Sequence, residues 1–290
     1  MLPLFYWPGC AWFAPAEARG FFYSGSFVLF IYLCCAYKFY SMELLNRHVT
    51  IRNFKNIPVD QKLLESILFS GTRASTTGNM QAYSLVVTSR ESQKEKLAPL
   101  HFNQPVAVDA PVIITFLADF NRFSKWCEFN NAHPGYANFL SFFTAAIDAL
   151  LVAQNVCVAA ENYGLGICYL GTTTYNAKEI IEVLGLPKLT FPVTSVAMGY
   201  PGEHPEITDR IPLKGVVHYE KYQDYSEARI RELYAFKENL ETMQQFMKEN
   251  NKETLAQVFT EVRYKLEDNE FFSEKMLDTL KIQGFFIENC

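Results

Sequence analysis

The sequence predicts an α+β protein: a mixed sheet flanked by helices. Three observations predict it. Helix-like and strand-like segments alternate unevenly between residues 42 and 212, without the strict strand–helix rhythm of a doubly wound sheet. One segment, residues 139–163, is too long and too apolar for a surface helix. Beyond Pro212 the chain turns polar and is helix-like almost to its end.

Two regions are expected, an apolar N-terminal extension over 1–41 and one folded domain over 42–290. The stretch "FFYSGSFVLFIYLCCAYKFY" is nearly uncharged and long enough to cross a bilayer, yet it lacks a basic leader and a small-residue cleavage site. It reads as a membrane anchor, as a buried arm, or as translated sequence upstream of the true start. Met42, directly before the first well-patterned segment, favours the last.

From Met42 the elements follow in order. Asp60 is placed to cap a helix through "QKLLESILFSG", with Leu63, Leu64, Ile67 and Leu68 on one face and Gly71 at its end. "YSLVVTS" is a strand of β-branched and apolar residues, and "SQKEKLAPL" a short helix. "APVIITFLAD" is apolar at successive positions, as a strand buried on both faces must be. The helix over 139–163 is interrupted by Asp148, Gln154 and Asn155, which argues against a membrane span and for a central helix buried by its own domain or by a partner subunit. Strand "ICYLGT", helix "NAKEIIEVLGL" and strand "PVTSVAMGYPG" follow, then helices around 226–250, 254–266 and 274–283.

Composition excludes several functions. With a net charge of −5 and no long basic run, the protein is a poor nucleic-acid binder. The seven cysteines include no C-x-x-C pair, and their number is odd, which favours free thiols in a reducing, cytoplasmic setting over disulfides or zinc. No metal site is expected. Cys168 is expected to be a buried thiol. There is no G-x-S-x-G, no H-E-x-x-H and no P-loop. Asp148 and Glu161, thirteen positions apart on one helix, are too distant to act as an acid/base pair. They read as a buried, hydrogen-bonded carboxylate and a surface one.

Four segments carry possible chemistry. "HVTIR" (His48, Val49, Thr50, Arg52) is either helix-entry capping with a salt bridge or an anion site, since arginine is a rigid fork suited to phosphate. "ASTTGNMQ" brings Ser75, Thr76, Thr77 and Asn79 into one loop, an ordinary turn or a holder for the polar edge of a flat heterocycle. "GLGICYLGTT" places glycines where backbone can approach a ligand closely. It is no dinucleotide fingerprint, because here a helix precedes the strand. "MGYPGEHPEITDRIP" is a proline-fixed loop delivering Arg210, which could meet Arg52 at one phosphate.

In this order the four segments resemble the FMN-dependent nitroreductase family, in its branch of oxygen-insensitive NADPH nitroreductases and flavin reductases. The resemblance runs from about Leu45 to Phe286 and includes "FNQPV" before "ADFNR". It implies an obligate homodimer built on long central helices, with FMN in interfacial clefts. His48, Val49, Thr50 and Arg52 would lie at the phosphate and ribityl chain, and Arg210 would complete the phosphate site. Thr76, Thr77 and Asn79 would touch FMN from the other subunit, and Gln104 would bond the isoalloxazine edge. Leu170, Gly171 and Thr172 would line the ring, with backbone donors. NAD(P)H would be the co-substrate and nitroaromatics, quinones or free flavin the acceptors, in a ping-pong hydride transfer. Three positions depart from the branch: Val49 for an arginine, Thr172 for a second glycine and Thr208 for a lysine. The thinner charge at the phosphate end leaves a second expectation open, a flavin-binding protein of this fold with a storage, sensing or other redox role.

Overall fold

The structure is a computed structural model that describes residues 43–286. The apolar stretch over 1–41, with Cys10, Cys34 and Cys35, and also Cys290, lie outside the described residues. Two compact units are present, Met1–His48 and Val49–Cys290. Of the first, residues 43–48 are described: a single helical turn over 43–46, with Arg47 reaching Glu43 at 3.4 Å, then His48. The second carries the sheet and all the elements that follow.

The first helix, α1 (Gln61–Gly71), forms where its pattern requires. Asp60 Oδ1 accepts the Leu63 N–H at 3.0 Å, satisfying one of the free donors of the first turn. Leu64 and Ile67 are buried on the face toward the core, and burial of such a side chain contributes about 1.5–3 kcal/mol. Gly71 lets the helix approach the long helix closely: a Cβ there would lie 2.2 Å from Val156 Cγ2.

Strands β1 (Tyr83–Thr88), β2 (Val112–Asp119), β3 (Gly166–Leu170) and β4 (Thr190–Gly199) form one sheet in the order β1-β2-β4-β3. The α+β class stands, but the pairings differ from a mixed sheet: all of them are antiparallel among the described residues. Strands β2 and β3 do point the same way, as a helical crossover between them requires, but β4 lies between them and is antiparallel to both. So no two adjacent strands among the described residues are parallel.

The inner strands β2 and β4 are buried on both faces, and period-2 alternation divides the sheet's buried residues between two clusters. Val112, Ile114, Phe116, Ile167, Val196 and Met198 pack with α1 and the long helix. Ile113, Cys168, Leu170 and Ala197 face the other way, against Ile51, Phe54 and residues of α3 (Pro105–Asp109). Helix α2 (Glu91–Leu97) runs into a 3₁₀ turn, Ala98–His101, and α4 (Asn121–Phe129) follows β2.

The long helix α5 spans Phe139–Asn162, 24 residues, about 36 Å, and is capped by Asn138, whose side chain accepts the Ser141 N–H at 2.9 Å. It is long and apolar enough to cross a membrane by length and composition. Its apolar residues nevertheless divide into two faces. Ala145, Ala149, Val152, Ala153, Val156 and Ala160 are buried under the sheet, whereas Leu140, Phe143, Ile147, Leu150 and Leu151 are exposed.

Helix α6 (Ala177–Leu184) ends at Gly185 in the left-handed conformation. The C-terminal region is four helical pieces: α7 (Glu227–Glu238), α8 (Glu241–Glu249), α9 (Leu255–Val258) continuing as a π-turn, and α10 (Leu266–Ile282). Ser226 caps α7, but the chain breaks at Asn239 and Leu240, within a stretch read as helical throughout. The last helix begins eight residues earlier than its pattern suggests (274 − 266), its first turn being the acidic Glu267 and Asp268 that suit a helix N-terminus.

Candidate functional site

Three of the predicted segments pack along β3, the first beside its N-terminal residues Gly166 and Ile167, the second and third at its C-terminal exit. The first is the extended segment from Val49 to Lys55. Its Ile51 N–H donates to Ile167 O at 3.0 Å, Lys55 N–H donates to Tyr200 O at 2.9 Å, and Phe54 bridges Pro201. The fit against β3 is tight, since a Cβ on Gly166 would lie 2.5 Å from Ile51 Cγ1. Extended backbone alternates its side chains: Ile51 is buried with Val49 packed beside it in the cluster under β3, while Thr50 is half-buried and Arg52 exposed.

Val49 is half-buried, its side chain packed against that cluster. His48 is half-buried at the end of the first unit.

The second segment is the turn at α3. Gln104, exposed, is the residue before Pro105 and caps α3 without a side-chain bond; its N–H donates to His101 O at 3.1 Å. Phe102 and Asn103, which lead into it, both have left-handed backbone, φ 55° and 51°. The third segment is β3 and its exit. Leu170 is 1% exposed and belongs to the core. Gly171 is exposed, and a Cβ built on it would meet nothing within 4 Å. Thr172 is buried, and its Oγ1 lies 2.8 Å from His101 Nδ1. His101, fully buried, was not legible as a site residue in the sequence. It joins the second segment to the third.

The loop after β4 reaches the first segment through Glu203, whose Oε1 accepts the N–H groups of Arg52 at 2.6 Å and Asn53 at 3.0 Å. Two main-chain donors beside Arg52 are thus held by a carboxylate. Arg210, at the far end of this loop, is exposed and folds onto its own turn: Nη1 donates to Thr208 Oγ1 at 2.7 Å and to Asp209 O at 2.9 Å. Thr208 so positions Arg210, and Asp209 pairs with Lys237 at 2.8 Å. The expected convergence of Arg210 with Arg52 is not formed by these contacts.

The threonine loop packs elsewhere, on the middle of α5. Asp148, 1% exposed, accepts the Thr77 N–H at 2.9 Å through Oδ1 and the Ala82 N–H at 3.2 Å through Oδ2. Gly78, Asn79 and Gln81 all have positive φ, and Arg122 clamps the end of the loop through Tyr83 O at 3.1 Å. Thr76 is half-buried; Thr77 and Asn79 are exposed and free of the core. Asp148 is the buried, hydrogen-bonded helix carboxylate the sequence suggested, and its job is to shape this loop.

Burial sets the remaining electrostatics. It raises the Cys168 thiol, against the lowering effect of the Arg52 charge, and pushes Cys157 up to about 12. Both are inert thiols at neutral pH. Among the described residues no cluster of three or more potential ligands could hold a metal ion.

Comparison with known proteins identifies the family. The model of the nitroreductase family matches residues 45–200. An NADPH-dependent oxidoreductase of Staphylococcus epidermidis is 32% identical over 254 residues, 85% of this chain and 98% of that protein. A crystal structure of a Bacteroides fragilis protein superposes with a TM-score of 0.83 at 52% identity, covering 84% of this chain and all of the other (100%). The NADPH:FMN oxidoreductase of Vibrio harveyi, complexed with NAD+, gives a TM-score of 0.65 at 25% identity over 76% of this chain and 94% of its own. The chain belongs to the nitroreductase family of oxidoreductases.

Proposed function

We propose that the protein is an FMN-dependent NAD(P)H oxidoreductase that reduces flat, electron-poor acceptors such as nitroaromatics, quinones or free flavin. The observation that carries this reading is that Thr50–Arg52, Gln104 and Gly171–Thr172 belong to segments packed along β3 and its exit, in a member of the nitroreductase family. The Staphylococcus and Vibrio relatives, an NADPH-dependent oxidoreductase and an NADPH:FMN oxidoreductase, support NADPH and FMN in particular.

The residues present fit FMN. Open space over Gly171 admits a planar ring to the main chain, and the exposed Gln104 amide supplies one donor and one acceptor for a heterocycle edge. Thr50, Arg52 and Arg210 supply a hydroxyl and two permanent cations for phosphate. When bound, FMN supplies the redox chemistry, taking hydride from NAD(P)H and passing electrons to the acceptor. The protein binds, orients and shields. Val49, Ile51 and Leu170 form an apolar floor that keeps water from beneath the site, and Glu203 fastens the Arg52 segment to the loop that carries Arg210. Arg210 would exchange its bonds to Thr208 and Asp209 for the phosphate. No side-chain acid or base is required, in keeping with the absence of a catalytic dyad in the motifs.

The exposed stripe on α5 supports a homodimer. Leu140 (74% exposed) and Phe143 (54%) lead an apolar row along one face of a helix whose opposite face is already packed. The threonine loop, held on the same helix by Asp148, would then serve the partner's site. A reducing compartment, the cytoplasm, fits the buried free thiols of Cys127, Cys157 and Cys168.

Titration of the purified protein with FMN tests the site. Arg52→Ala and Arg210→Ala should each weaken binding by about 1–3 kcal/mol, the worth of a hydrogen bond to a charged group. Unchanged affinity in both variants would contradict the phosphate assignment. Stopped-flow bleaching of bound flavin by NADPH and by NADH distinguishes an oxidoreductase from a protein that only stores or senses flavin.

A further inference from the structure

His101 is 0% exposed, Thr172 is 8% exposed, and the two are joined by the 2.8 Å contact between Nδ1 and Oγ1. The other ring nitrogen, Nε2, is buried with no hydrogen-bond partner among the described residues. The contact admits two arrangements. In one, Thr172 donates to a bare Nδ1, and the ring proton sits on Nε2 as a buried N–H without an acceptor. In the other, Nδ1–H donates to Thr172 Oγ1, and the orphan is only a lone pair on Nε2. A buried N–H without a partner is the rarer and costlier of the two. The second arrangement also frees the Thr172 hydroxyl hydrogen, because the oxygen has accepted the ring's proton bond and can donate its own elsewhere. Burial keeps the imidazole neutral, lowering its pKa to about 4, so the ring has one proton to place.

The backbone of the same residue sets a second wall of the site. His101 O accepts the Gln104 N–H at 3.1 Å, and the left-handed pair Phe102 and Asn103 is closed by Asn103 N–H donating to Ala98 O at 2.8 Å. Two adjacent non-glycine residues in that region are strained and persist only where their surroundings fix them. A buried side chain anchored at Thr172 is such a fixture.

We propose that His101 is a positioning residue for the flavin: as the neutral Nδ1–H tautomer it holds Thr172 Oγ1 from behind, so that the Thr172 hydroxyl is a dedicated hydrogen-bond donor to the bound isoalloxazine. The assignment rests on the function proposed above and adds to it the donor, its direction and the residue that fixes both.

Two measurements test it. Long-range proton–nitrogen NMR of histidine-labelled protein reads the tautomer directly, with the His101 signals assigned by their loss in His101→Asn. The flavin-free and FMN-loaded proteins should both show a neutral ring protonated on Nδ1; a ring protonated on Nε2, or on both nitrogens at neutral pH, overturns the proposal. FMN affinity, read from quenching of flavin fluorescence, should fall about three- to tenfold in Thr172→Val, the range expected for one neutral hydrogen bond, and stay within about twofold of wild type in Thr172→Ser. His101→Asn keeps an N–H in place of Nδ1–H and should retain most of the affinity. His101→Phe should lose as much as Thr172→Val, and the double variant no more than either. Wild-type affinity in Thr172→Val overturns the donor role even where His101→Phe fails to fold. The outcomes are separable: a wild-type protein that ignores FMN overturns the function itself, whereas an Nε2–H tautomer in a protein that binds FMN overturns only this assignment.

Discussion

Replacing Asp148 by asparagine should cost the fold about 2–3 kcal/mol and loosen the threonine loop before anything else. The carboxylate is 1% exposed, and its two oxygens each accept a main-chain N–H, Thr77 at 2.9 Å and Ala82 at 3.2 Å. A carboxamide has one acceptor, and its NH₂ would face the remaining N–H. Ala82 is fully buried and Thr77 exposed, so the oxygen turns to Ala82, and the Thr77 N–H goes to water. One hydrogen bond to a charged group is lost, worth about 1.5–3 kcal/mol, and the donor clash adds to it. Removing a buried charge offsets part of the loss. At about 2–4 °C per kcal/mol for a domain of this size, the melting temperature should drop by about 4–12 °C. Amide hydrogen exchange should accelerate at Thr77 to Asn79 well before the core of the sheet. A melting temperature within about 1 °C of wild type, or unchanged exchange in the loop, would refute the role given to Asp148.

Gly166→Ala should destabilise by about 1–3 kcal/mol by overpacking, because the new methyl would lie 2.5–2.9 Å from three Ile51 atoms; Ile51→Ala in the same chain should recover part of the loss in a denaturant titration. His101 gives the protein a pH dependence of definite sign. Its folded pKa of about 4 lies below an unfolded value near 6.5, so the unfolded chain takes up the proton first. Its contribution is fully present above about pH 6.5 and should be lost as pH falls toward 4, by about 3 kcal/mol in all; pH-dependent unfolding should show this slope in wild type and lack it in His101→Phe. Ile147→Asp, on the exposed face of α5, should convert a dimer to a monomer in sedimentation while leaving the apolar core of the protomer intact.

Much of this architecture was legible where its signals are local. Asp60 three residues before Leu63 specifies a cap, and the apolar spacing through Ile67 specifies the buried face of α1. Asp148 stood out as the one charge in the middle of an apolar helix, and burial with two hydrogen bonds is how such a charge survives. Val49 could also have been placed by pattern, since Val49-Thr50-Ile51-Arg52 alternates apolar and polar residues as a half-buried extended segment does. Illegible were the contacts between residues far apart in sequence. His101 meets Thr172 from 71 positions away, and Glu203 meets Arg52 from 151, and neither partner carries a local mark. The sheet pairing was hidden for the same reason, because β4 enters between β2 and β3 only when the chain returns. The break at Asn239 and Leu240 lies in a run of residues that each tolerate a helix, so nothing in local propensity announces it.

The central claim is that the segments packed along β3 and its exit form a redox cofactor site, and a titration of the purified protein with FMN, followed by anaerobic addition of NADPH or NADH, tests it most directly. The account predicts saturation at about one FMN per chain and rapid loss of the oxidised-flavin absorbance on adding at least one of the two nucleotides. A protein that leaves FMN free in solution, or that binds it and leaves its absorbance unchanged with both nucleotides, would contradict the account.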